Sequence, residues 1–216
     1  MSSNRLPGKT LMKIKGIPLL GRIVNNLSSN TRVNQVVVAT SKEGSDDPIY
    51  DYCVNNNIDI YRGELIDVRK RFYEVAKLYD SDFIVRVTAD NVLTSSYYIN
   101  FLLEHIKCKD GLDYVRMKKN KIIEGTGSEV FTISALEKSI SSYSDDYNKE
   151  HVTPAIIENY RVEELSPVDK EYEVNKYESL SIDTIKDFEK VLKVYSQYNN
   201  RVCENEILKD YIKKSK

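Results

Sequence analysis

Gln35-Val36-Val37-Val38-Ala39-Thr40 is the stretch that decides the fold. It is a continuous β-branched run, too short for a buried helix and without polar alternation, so it reads as a parallel strand covered on both faces. On its N-terminal side a helix starts at Ile17. Pro18 suits a first-turn position there, and Leu20, Ile23, Val24 and Leu27 recur at the three-four spacing of one apolar face. On the C-terminal side, Asp46 or Asp47 caps a helix with Pro48 in its first turn and Ile49, Tyr52 and Cys53 inward; a short strand over 58–61 follows. A helix over 67–79 then carries Val68, Phe72, Val75, Ala76 and Tyr79 on one side and leads to a strand over 82–88. Strand and helix by turns predict an α/β domain, a mostly parallel sheet with flanking helices.

Beyond Asn91 the order loosens into a mixed second half. The pattern predicts a helix over 96–106, strands over 112–117 and 128–133, and a short helix announced by the capping-box spacing of Ser134 and Glu137. A helix over 150–159 is compatible with Pro154 in its first turn. A strand over 179–182 precedes a helix capped by Thr184, with Asp187 in its first turn and Ile185, Phe188, Val191, Leu192 and Tyr195 inward. The segment 204–214 is amphipathic through Ile207, Leu208, Tyr211 and Ile212. His105 reads as ordinary packing on its helix.

The 216 residues suit one domain with a sizeable core. Lys plus Arg total 32 against 33 Asp plus Glu, a net charge of -1, and no basic run is long enough to track a phosphodiester backbone, so a nucleic-acid partner is disfavoured. The three cysteines lie far apart without a Cys-x-x-Cys pair, which fits a reducing compartment and argues against a zinc site. No signal-peptide core and no run of ~18 apolar residues is present, so the expectation is a cytoplasmic protein without membrane contact.

Chemistry concentrates in Ser2-Ser3-Asn4-Arg5-Leu6-Pro7-Gly8-Lys9. Small polar residues let backbone N–H groups approach a polyanion, Arg5 offers a bidentate fork and Lys9 a point charge, the combination expected around a triphosphate. A frayed basic N-terminus is the bland reading of the same residues. Asp90 lies just past a strand end, where ligands of open parallel sheets collect.

This segment and the blocks that follow it resemble a known family. SSNRLPGKTL with GIPLL looks like the RxGSxRLPGKxL and GxPLL opening of sugar-activating cytidylyltransferases, in particular the SpsF-like branch linked to spore-coat and capsule polysaccharides, relatives of the CMP-sialic acid and CMP-Kdo synthetases. The resemblance continues in order through VVVATS (36–41), YRGELIDVRKRFYEVAK (61–77), IVRVTADN (84–91), SEVF (128–131), EHVTP (150–154) and SIDTIKDFE (181–189). It implies a Rossmann-like domain of the nucleotide-diphospho-sugar transferase type. Residues 1–95 would form the nucleotide half, 96–178 the sugar-binding and dimerisation half, and 179–216 a strand and helices packing back.

The resemblance further implies that Arg5 and Lys9 hold the CTP phosphates and act in catalysis with Asp90. Ser3, Ser41, Arg62 and Thr88 would join them around the nucleotide, and Asp67 would support that pocket or cap its helix. Asp90 and Asp183 would hold Mg²⁺, the competing role of Asp183 being a helix cap. Glu129 and His151 are sugar-side candidates, with His151 open to an orienting or structural role. The reaction implied is transfer of CMP from CTP to the anomeric hydroxyl of a sugar, in a homodimer.

The pattern is not followed everywhere. The family's opening strand has no counterpart here, which suggests a misplaced start codon or a truncated gene. Thr88-Ala89-Asp90-Asn91-Val92 stands where relatives have TGDCP, residues 125–131 depart from a GLDVEVF block, and Ile185 replaces a proline. Two rival expectations are a GT-A glycosyltransferase using a nucleotide-sugar, for which the missing Asp-x-Asp pair counts against, and an inactive remnant that only binds nucleotide.

Overall fold

The computed structural model describes residues 5–174, 177–199 and 202–215. A 3₁₀ turn at Lys9–Leu11 leads into a short hairpin, β1 (Lys13–Ile14) paired antiparallel with β2 (Ile17–Pro18). Lys15 and Gly16 turn it with φ of 49° and 81°, the doubly positive geometry that matches strand twist in a two-residue connection. Pro18 therefore closes a hairpin and precedes α1 (Leu19–Ser28), instead of lying in its first turn as the sequence suggested.

Next come β3 (Val38–Ser41), α2 (Asp47–Asn55) and β4 (Ile60–Gly63), the two strands pairing in parallel from Val38 opposite Ile60 to Ser41 opposite Gly63. The strand at 35–40 is thus shifted toward its C-terminal end, because β4 offers a partner only from Ile60 onward. Then α3 (Val68–Leu78), β5 (Phe83–Arg86), α4 (Ser96–Lys107), β6 (Tyr114–Met117) and β7 (Glu129–Thr132) follow in the order expected. Thr132, not Ser134, caps α5 (Ile133–Ser142), its hydroxyl accepting from the Ala135 amide. The helix expected over 150–159 is two pieces, α6 (Asp146–His151) and α7 (Pro154–Asn159), broken at Val152. An unanticipated strand, β8 (Val162–Leu165), runs parallel to β6. The strand expected over 179–182 contributes only a single bridge, Ser179 to Glu124. The chain closes with α8 (Ile185–Ser196) and α9 (Glu204–Ser215).

The larger sheet has the order β5-β7-β6-β8, with β7 antiparallel to both neighbours, so the α/β architecture mixes strand directions. Alternation decides its two faces. Val115 and Val130 turn toward Tyr98, Ile99 and Leu102 of α4, whereas Ile84, Tyr114 and Phe131 turn toward Ala76 of α3, Leu136 of α5 and Ile156 of α7. A third cluster joins α1, α8 and α9 through Leu19, Ile23, Val191, Val194, Ile207 and Leu208. Buried Arg22 ties it together. Its guanidinium donates to the Ile14 carbonyl and to Glu204 Oε1 at 3.1 Å and lies 4.6 Å from the Tyr195 ring centroid. No ladder joins β3 to β5 among the described residues; a cleft of about 710 Å³ lies between them.

Candidate active site

Three distant segments meet at the C-terminal mouth of that cleft. Gly8, at φ 72°, bends the N-terminal loop in a conformation that costs glycine nothing and starts the turn carrying Lys9. Lys9 Nζ then donates to Asp90 Oδ2 at 3.4 Å, to Asp183 Oδ1 at 3.1 Å and to the Ile182 carbonyl at 2.8 Å. Arg5 donates to the same Asp183 oxygen at 2.9 Å. The Thr88 hydroxyl donates to Asp90 Oδ1, and the Ile182 amide donates to the Asp90 carbonyl at 3.0 Å, fastening the two acidic segments side by side. Arg5, Lys9, Thr88, Asp90 and Asp183 are therefore one cluster. Ser3 lies outside the described residues.

Asp183 stays available to those cations because its neighbour caps the helix. Thr184 and Asp187 form a reciprocal capping box at the start of α8, the Thr184 hydroxyl accepting from the Asp187 amide and the Asp187 carboxylate from the Thr184 amide at 2.7 Å. The competing capping role for Asp183 is thereby filled. The Asp90 and Asp183 side chains are 24% and 33% exposed, and that of Lys9 is 13% exposed. Water or a ligand reaches the carboxylates while the ammonium beneath is sheltered. Two carboxylates around one cation, with room for phosphate oxygens and water, is a donor set a hard divalent ion accepts. Among the described residues no group of three or more His, Cys, Asp or Glu gathers to hold a metal.

A second constellation sits at the ends of β3 and β4. Asp46 is buried and accepts from the Ser41 hydroxyl at 2.6 Å, the Thr40 hydroxyl at 2.8 Å and the Ser41 amide at 3.1 Å. Burial works against its charge, yet these hydrogen bonds help hold it well below the usual carboxylate range. Asp46 thus faces the strand and makes no side-chain cap for α2, a correction to the capping expectation. Arg62 donates to the Ser41 carbonyl at 2.9 Å and pairs with Asp47 at 2.8 Å. Asp67 accepts from the Lys70 amide at 2.8 Å as the cap of α3. It is the capping half of its expectation that the structure shows.

On the sheet, Glu129 accepts from Arg86 at 2.7 Å and from the Tyr114 hydroxyl at 2.8 Å, with Thr153 Oγ1 at 3.4 Å. Val152, fully buried, has φ 72° and ψ -55°, and the Thr153 amide donates to the His151 carbonyl at 2.9 Å. This is the positive-φ γ-turn, strained for a β-branched residue and persisting where its surroundings over-determine it. It separates His151, exposed and edge-on to the Tyr147 ring, from Thr153, turned inward to Glu129. His105 packs as a structural residue, its ring tilted against Phe101 and its Nε2 2.7 Å from Glu163 on β8.

Sequence reading gave Asp46 only a capping role and missed Arg71. Arg71 is buried on α3, reaches the Ala39 carbonyl at 3.3 Å, and its Nε has no hydrogen-bond partner. Burial pulls its pKa down and the fields of Asp46 and Asp67 pull it up. Gly63 makes its space, since a Cβ there would stand 2.6 Å from Arg71 Cγ. The available signal was an arginine at helical spacing with Val68 and Val75, on a face otherwise apolar.

Comparison with other proteins places the chain in a family. The family model described as cytidylyltransferase matches residues 1–214. An uncharacterized protein of Methanocaldococcus jannaschii is 38% identical over 200 residues, covering 91% of this chain and 80% of that one. The spore coat polysaccharide biosynthesis protein SpsF of Bacillus subtilis is 27% identical over 213 residues, 93% of this chain and 85% of its own. Among solved structures, a cytidylyltransferase from Leptospira borgpetersenii superposes with a TM-score of 0.87 at 28% identity, over 100% of this chain and 91% of that one. A CMP:2-keto-3-deoxy-manno-octonic acid synthetase complexed with CTP shares the fold, at a TM-score of 0.64 and 15% identity over 91% and 95% of the two chains. The chain belongs to the cytidylyltransferase family and is a nucleotidyltransferase.

Proposed function

We propose that this cytidylyltransferase moves CMP from CTP to the anomeric hydroxyl of a 2-keto acid sugar, releasing pyrophosphate. The observation that carries the proposal is the contact of Lys9 with both Asp90 and Asp183, flanked by Arg5. A cationic pair beside two carboxylates suits a triphosphate with its divalent ion better than a neutral ligand. In the reaction the sugar oxygen bonds to the α-phosphorus, the bond from that phosphorus to the bridging oxygen of the β-phosphate breaks, and the hydroxyl proton is released. Arg5 and Lys9 neutralise charge on the α-phosphate and on departing pyrophosphate, and the rate comes mainly from positioning and electrostatics. Asp90 and Asp183 would hold Mg²⁺, which supplies positive charge to the polyphosphate when bound. Ser41 and Arg62, held at the ends of β3 and β4, would meet the ribose and base.

Arg86 and Glu129 are assigned to the acceptor side because Arg86 ends β5, four residues before Asp90. A guanidinium there is suited to a sugar carboxylate. The likeness to SpsF supports a role in surface polysaccharide synthesis. Incubation with CTP, Mg²⁺ and a panel of 2-keto acid sugars tests the proposal. Pyrophosphate released only with an acceptor present is the expected result. Sugar transfer from a nucleotide-sugar instead would mark a glycosyltransferase, and CTP binding without release would mark an inactive remnant.

A further inference from the structure

Four charges of alternating sign stand in line across the larger sheet. Arg86 of β5 is directly opposite Glu129 of β7, Glu129 is directly opposite Arg116 of β6, and Arg116 is directly opposite Glu164 of β8. Each lies two residues from a core position of its own strand, Ile84, Phe131, Tyr114 or Val162, so period-two alternation puts all four on the face that packs against α3, α5 and α7. They mark one end of that face. Arg86 closes β5, Arg116 and Glu164 are the last residues but one of β6 and β8, and Glu129 opens β7. Two ion pairs join them, Arg86 to Glu129 and Arg116 Nε to Glu164 Oε1, each at 2.7 Å. Side-chain exposure grows outward, from 20% at Arg86 to 40% at Glu164.

Stability alone does not call for this row. Cross-strand pairs of opposite charge contribute about 0.2–1 kcal/mol each, and well-packed apolar residues in half-buried places serve a fold as well. Two observations point to a ligand instead. Arg86 lines the cleft and stands four residues before Asp90, so the row starts beside the proposed reaction centre and leads away from it. The strained turn at Val152 holds the Thr153 hydroxyl 3.4 Å from both oxygens of Glu129, a loose contact beside the tight ones from Arg86 and Tyr114, and one that an arriving hydroxyl can replace.

Resting on the proposed transfer to a sugar acid, we infer that the row is the track on which the acceptor lies, and that Arg116 and Glu164 set specificity by reading hydroxyls far from the reacting one. A sugar hydroxyl both donates and accepts, and guanidinium alternating with carboxylate answers both needs. Two cations and two anions leave the row neutral, which suits a polyol better than a second anionic group. Length then sets the class of acceptor. Neighbouring strands are about 4.8 Å apart, so Arg86 to Glu164 spans about 14 Å, beyond the reach of a sugar ring held at Arg86. The acceptor therefore carries a hydroxylated tail outside its ring.

The test compares 2-keto acid sugars that share one ring and differ in whether a hydroxylated tail is present, each with CTP and Mg²⁺, by pyrophosphate release. Arg116→Gln and Glu164→Gln are each expected to raise KM for the tailed acceptor about tenfold or more, with kcat and the KM for CTP within about twofold, the mark of lost ground-state binding. Removing the tail and substituting the residue should not add, so the tailless acceptor loses nothing further in either variant. If Arg116→Gln does not fold, Glu164→Gln, the most exposed member of the row, gives the answer. A purely structural ladder would lower the melting temperature and weaken both acceptors alike, and that result, or an unchanged KM for the tailed acceptor, overturns the inference while the proposed reaction stands. No release with any acceptor overturns the reaction itself and this assignment with it.

Discussion

Two acidic centres lie beyond the C-terminal ends of β3 and β5, on the two sides of the cleft, and they are built in different ways. Asp46 accepts from hydroxyls and an amide of the preceding strand β3, from Thr40 and Ser41, all within six residues. Asp90 and Asp183 are held by the ammonium and guanidinium of a loop more than eighty residues away in sequence. Short-range hydroxyl and amide donors help fix a carboxylate in one arrangement. Long, flexible cations can yield it to another cation or turn to a phosphate. On the proposed function the first centre is architecture and the second a site, although residue type alone does not separate them.

Substitutions can break this contrast. The largest effect is expected at the exchangeable centre, where Asp90→Asn or Lys9→Ala should lower CTP turnover by about 10²-fold or more while the melting temperature barely moves, because partly exposed ion pairs contribute about 0–1 kcal/mol. Steady-state pyrophosphate release and thermal melts read the two halves. At the fixed centre the order reverses. Asp46→Ala should cost about 2–4 kcal/mol in chemical denaturation, since it strands the Ser41 and Thr40 donors in a buried setting.

Acid sharpens the same point. The pKa of Asp46 is depressed in the folded chain, so its contribution is complete above its unfolded value near 4 and is lost as pH falls toward the folded value. Denaturation midpoints measured between about pH 5 and 2 should fall steeply in the native chain, and less steeply in Asp46→Asn, which has no such proton to take up. The smallest effect is expected from Thr184→Ala. It removes one side of the capping box for about 1 kcal/mol of stability and leaves CTP turnover within about twofold, since Asp183 does not cap the helix.

Much of this was legible in the sequence where local signals and tertiary partners agree. The helices carrying Phe72, Leu102 and Val191 are where periodicity placed them, and Thr184 is the cap its position promised. β8 was hidden because Val-Glu-Glu-Leu lacks a β-branched run; its glutamates are matched by His105, Lys109 and Arg116 on adjoining elements, information that local sequence does not hold. The strand expected over 179–182 has hydrophobic residues but only one bridging partner, so its Leu180 and Ile182 go into the α8–α9 core instead. The break at Val152 was invisible, since nothing about valine announces a positive φ. Family motifs pointed to Lys9, Asp90 and Asp183, whereas Asp46 and Arg71 needed the packing of α3 against β3 and β4 to be seen.

The central claim is that Arg5 and Lys9, beside Asp90 and Asp183, take the polyphosphate end of a nucleotide. Calorimetric titration with CTP and with CMP, each with Mg²⁺, measures it directly. Binding of CTP at least about tenfold tighter than CMP, with the difference lost in Lys9→Ala, is the result this structure predicts. Equal affinity for the two nucleotides, or a preference for CTP that survives Lys9→Ala, would contradict it.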